Sequence, residues 1–81
     1  MNVLVELAEQ LKTARQQAMN ALGDAYPVKI EPYKAAITRH MACTNLQPLD
    51  STLRLAHRSA EYGADPLLYM AAGMELVLSA G

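Results

Sequence analysis

Residues 64–81 read A-D-P-L-L-Y-M-A-A-G-M-E-L-V-L-S-A-G, and between Leu67 and Leu78 the only charge is Glu75. Asp65 followed by Pro66 predicts a helix start. The carboxylate can accept from first-turn amides, and proline in the first turn gives up no helical hydrogen bond. On a helical wheel Leu67, Met70, Ala71, Met74, Val77 and Leu78 form one face, while Leu68, Tyr69, Ala72 and Leu76 form a second that is apolar too. A helix apolar nearly all round has to be covered on more than one side, by the rest of its own chain or by a second one. The other helices should therefore be arranged around this one.

The remainder of the chain is sized for that arrangement. Its 81 residues make one domain and one core. Small domains bury a smaller fraction of their surface and are marginally stable without a staple or a partner. The lone Cys43 excludes an intramolecular disulfide and suits a reducing, cytoplasmic setting. With 52% apolar residues, no Phe and no Trp, the core must be aliphatic, which suits close-packed helices and argues against disorder. A net charge of −1 gives no general electrostatic grip on nucleic acid or on an anionic membrane. Met1 to Val5 does not read as a signal peptide, and the final apolar run, interrupted by Glu75, is too short for a membrane span.

Upstream, Leu4, Leu7, Ala8, Leu11, Ala14, Ala18 and Leu22 recur at helical spacing, which predicts a first helix over 3–22, capped by Asn2 and stopped at Gly23-Asp24. Arg15 interrupts this stripe. Either its guanidinium snorkels to water, or it pairs with Glu75, the one acid of the apolar helix. Residues 23–31 hold Pro27 and lead into Pro32, and a residue before proline is biased away from helix; an extended linker is expected there. A second helix is predicted over 33–44, with Tyr33, Ala36, Ile37, His40 and Met41 inward. A third is predicted over 48–62, with a stripe of Leu49, Leu53, Ala56 and Ala60, and the last over 66–79. The expected fold is all-α, a compact four-helix bundle with an extended linker between helices 1 and 2 and a central apolar C-terminal helix.

Chemistry is thinly represented. His40 and Cys43 share a helix side and His57 could join them, but the spacing matches no structural zinc motif, so no metal is expected. The serines lie in helical context without a nucleophile elbow, and no glycine-rich phosphate loop is present. No catalytic residues and no cofactor are assigned, and the chain is read as a non-enzyme. Charge is uneven: residues 29–58 carry five cations against two acids. A hairpin of the second and third helices would gather Arg39, Arg54, His57 and Arg58, with Tyr62 at the edge, into a patch for an acidic protein surface.

These features predict a small protein-binding module. It would be an accessory adaptor, chaperone-like or inhibitor protein of the bacterial or phage kind, acting by occupying a partner protein's surface. The second reading is a small-ligand binder with a pocket of Tyr26, Tyr33, His40 and methionines. The third, a nucleic-acid binder, has only three arginines and no recognition helix behind it. Self-association as a homodimer is expected through Leu68, Tyr69, Ala72 and Leu76.

Overall fold

The computed structural model describes residues 3–80, with the side chains of Ala60, Tyr62 and Ala80 outside the description. Its helices begin and end at local signals. Pro66 opens α4 (Pro66–Ala80), and the Asp65 carboxylate accepts from the Leu67 amide at 2.9 Å. α1 (Val3–Leu22) stops at Gly23, whose φ of 54° lies in the left-handed region that glycine enters without penalty. The Asn2 cap expected for α1 lies outside the described residues. α3 (Pro48–Tyr62) has proline in its first turn and ends on Gly63 at φ 74°.

The second helix corrects the expectation of an extended linker. One 3-10 turn, Gly23–Ala25, leads straight into α2 (Tyr26–Thr44), which runs through Pro32 and ends on left-handed Asn45. Tyr26, the residue before Pro27, is fully helical at φ −53°, ψ −52°. Pro27 sits in the first turn, where its missing N–H is harmless. Pro32 is interior and leaves the Val28 carbonyl without its helical donor, but Val28 is 76% exposed, so water can take that place. What holds the segment helical is the stripe Tyr26, Ile30, Tyr33, Ile37 and Met41, which packs into the core only with helical spacing. Packing outweighs the local bias of the two prolines.

α1, α2 and α3 pack on α4, and α1 and α3 scarcely meet among the described residues. The result is three helices set around a central one, not the four-helix bundle expected, and no strand occurs among the described residues. Toward α1, Met74 packs with Leu7 and Leu11, flanked by Leu49, Met70 and Val77. Toward α2, Ala71 and Ala72 pack with Ala18, Tyr26, Ile30 and Ile37.

The buried side of α3 also differs from expectation. Leu53, placed in its inward stripe, is 44% exposed, while Ser51, Thr52 and Ser59 are buried. Their hydroxyls are satisfied locally: Thr52 donates to the Pro48 carbonyl at 2.6 Å and Ser59 to the Ala56 carbonyl at 2.7 Å. No buried side-chain polar atom among the described residues lacks a partner. Short, satisfied side chains let α3 approach α4 closely at Gly73, where an added Cβ would lie 2.8 Å from the Thr52 Cβ. Gly73 is there for close approach.

Candidate functional site

The α2–α3 hairpin is fastened by His40, whose Nδ1 lies 3.0 Å from the Ser51 Oγ. That contact gives the half-buried imidazole a structural partner, while Cys43 and His57 are both exposed. No group of three metal-ligating side chains occurs among the described residues. On the same two helices Arg39, Arg54, His57 and Arg58 are all exposed, and no ion pair engages them among the described residues. Arg54 and Arg58 stand one turn apart on α3, the spacing at which helix side chains are neighbours. Tyr62, assigned to the edge of this patch, has its side chain outside the described residues. The i,i+4 pairing that spacing allows between Asp50 and Arg54 is not made, which leaves the arginine free for a partner.

Arg58 borders a hollow of 150 Å³ shared with Leu55, Ser59, Ala64 and Tyr69. Next to it, Pro32, Tyr33, Ala64 and Tyr69 line one of 220 Å³, where the two tyrosine rings meet edge to face at 4.7 Å. The small-ligand pocket expected from Tyr26, Tyr33 and His40 does not assemble. Tyr26 is buried against Glu75, His40 is turned to Ser51, and only Tyr33 borders this hollow.

A three-residue polar cluster lies at the core's edge. Arg15 Nε donates to Glu75 Oε2 at 2.8 Å and the Tyr26 hydroxyl donates to the same oxygen at 2.6 Å. Partial burial pushes the Glu75 carboxyl up, but the two hydrogen bonds and the Arg15 charge outweigh it and hold it below the usual carboxylate range. Burial, then the bond to Glu75, raises the Tyr26 phenol. The bond to Glu75 likewise raises Arg15. The arginine in the apolar stripe and the acid in the apolar helix thus meet, with Tyr26 as a third member that sequence reading left in the linker. One carboxylate oxygen ties α1, α2 and α4 together.

The self-association face is partly covered by the chain itself. Ala72 is fully buried, and Leu68, Tyr69 and Leu76 are half-buried against the cluster that α2 and α1 supply. α2, whose first two turns were expected to be linker, supplies Tyr26, Ile30 and Ile37 to that cluster. An open groove lies elsewhere, a space of 430 Å³ between Glu9, Gln10, Thr13, Ala14 and Gln17 of α1 and Leu67 and Met70 of α4. Sequence reading missed it, although Gln10, Thr13 and Gln17 flank the apolar stripe of α1 without a cation among them. No helix among the described residues is long and apolar enough to cross a membrane. The chain matches no protein-family model, no curated protein and no solved structure.

Proposed function

We propose that this protein is a non-enzymatic protein-binding module that docks the basic face of its α2–α3 hairpin on an acidic surface of another protein. The observation behind this reading is that Arg39, Arg54, His57 and Arg58 are exposed on two adjoining helices with no ion-pair partner among the described residues. Unpaired arginines suit carboxylate recognition, since a guanidinium presents a planar fork of donors and stays charged. A different protein is favoured over a second copy held through Leu68, Tyr69, Ala72 and Leu76, since Ala72 is buried and the other three pack partly against the chain's own core. The small-ligand reading is weaker, since Tyr26 and His40 are turned to other partners.

The test compares crosslinked capture from the native host by wild type and by Arg39→Glu/Arg54→Glu/Arg58→Glu, which alters exposed positions only. A partner held by wild type and lost by the charge-reversed variant, with binding that weakens as salt rises, is expected. Equal capture by both would remove the basic face from the function. Binding of labelled DNA or RNA duplex with a steep salt slope would favour a nucleic-acid partner instead.

A further inference from the structure

We infer that the groove between α1 and α4 seats an amphipathic helix of another protein, one with an apolar stripe flanked by basic side chains. The groove exists because α1 and α3 both pack on α4 and hardly on each other, which leaves an unfilled position beside the central helix. A second hollow of 220 Å³, with Val3, Leu7 and Leu53 on its wall, shares Gln10 with the first. The second is walled by α1 and by Leu53 of α3, so the two adjoin at Gln10 on one side of α1, the first over α4 and the second toward α3. From Val3 to Gln17 is fourteen helical steps, about 21 Å or close to four turns. That length suits a helix and exceeds what a small molecule needs.

Two further features select the occupant. The groove walls are helices whose backbone groups bond within themselves, so there is no free edge for an extended peptide. A guest must satisfy its own backbone, and a helix does. The ionisable groups on the walls of the two hollows are Glu6 and Glu9, both exposed, in no ion pair among the described residues, and one turn apart. Lys12, though on the same helix, is not part of the wall. An apolar floor under an acidic rim favours Lys or Arg beside the guest's stripe and repels Glu or Asp. A second copy of this chain is a poor guest. Its most cationic helix, α2, with Lys29, Lys34 and Arg39 against Glu31, has its apolar stripe Tyr26, Ile30, Tyr33, Ile37 and Met41 already packed into the core. The groove adds an acidic docking surface to the basic one on the hairpin, so one molecule can hold two partners at once.

Three labelled twenty-residue peptides test this by fluorescence anisotropy: a leucine stripe flanked by lysines, the same stripe flanked by glutamates, and the lysine peptide scrambled so that the stripe is lost. The lysine-flanked stripe is expected to bind at least tenfold tighter than either control. Thr13→Arg, an exposed wall position, should weaken it tenfold or more with the helical signal unchanged. Glu9→Lys should weaken it about threefold and flatten its salt dependence. Should Thr13→Arg fail to fold, Gln17→Arg blocks the same wall. Equal binding of the scrambled peptide, or unaltered binding by a folded wall variant, would overturn the proposal. So would a wild-type dimer that the wall variant splits, because the groove would then belong to a second copy.

Discussion

Glu75 accepts from Arg15 and Tyr26 through one oxygen, and the pair's side chains are 31% and 21% exposed for Arg15 and Glu75 respectively. That exposure decides the magnitude. Water reaches the pair, so Arg15→Ala should cost about 1–2 kcal/mol, between the values for surface and buried ion pairs. Tyr26→Phe, which removes a neutral donor to a carboxylate, should cost about 1.5–3 kcal/mol. Urea melts of the two variants check both. The triple change Arg15→Met/Tyr26→Phe/Glu75→Met leaves nothing unpaired, and its melt should lie closer to wild type than the sum of the single losses. Since the folded carboxyl lies below its unfolded value, its contribution is present above about pH 4.3 and is lost as pH falls through the folded value. Tyr26 has the opposite sense. Its raised phenol contributes below about pH 10, and the contribution is lost as pH climbs above that. Glu75→Gln should therefore flatten the acid limb of stability against pH. A variant as acid-sensitive as wild type would put the titrating group elsewhere.

At the scale of helices, two contacts carry separate predictions. Gly73→Ala gains roughly 1 kcal/mol of helix propensity, but its Cβ enters the space of Thr52. Overpacking should dominate and leave a net loss of about 1–2 kcal/mol, reduced in a Thr52→Ala background. A double-mutant cycle with zero coupling would mean the helices do not meet there. Pro32→Ala restores a donor to the Val28 carbonyl in an exposed turn and should stabilise α2 by about 1–2 kcal/mol, seen as a higher melting temperature. These two places are also where sequence reading and structure part company. The bounds of α1, the Asp65 and Gly63 signals and the Arg15–Glu75 pairing were legible, because each follows from residue type and spacing along one helix. Residues 26–32 were not. Two prolines outweigh five apolar positions locally, and the stripe from Tyr26 to Met41 gains its weight only once α4 is there to bury it. The buried side of α3 was hidden for a different reason, since Ser51, Thr52 and Ser59 count as polar until their hydroxyls are seen to be satisfied. Among the site residues, the exposure of the arginines was legible, whereas the groove depends on α1 and α3 standing apart.

For the whole molecule, the organisation around α4 implies that secondary and tertiary structure are lost together. Tyr26, Tyr33 and Tyr69 lie in or against the core cluster, so tyrosine fluorescence reports packing while circular dichroism reports helix. The two urea transitions should coincide, as expected of a small two-state domain. A separate early loss of fluorescence would show that the helices outlive their packing. Chain order adds a kinetic side to this. α1, α2 and α3 precede α4, and the Arg15–Glu75 contact spans sixty residues. A ribosome therefore releases three amphipathic segments before the element that covers their apolar sides. Until α4 clears the exit tunnel, Leu11, Ile30 and Ile37 lack the central helix that completes their cover, and the nascent chain is at its most open to chaperones and to aggregation. Productive folding must wait for translation to pass Ala80.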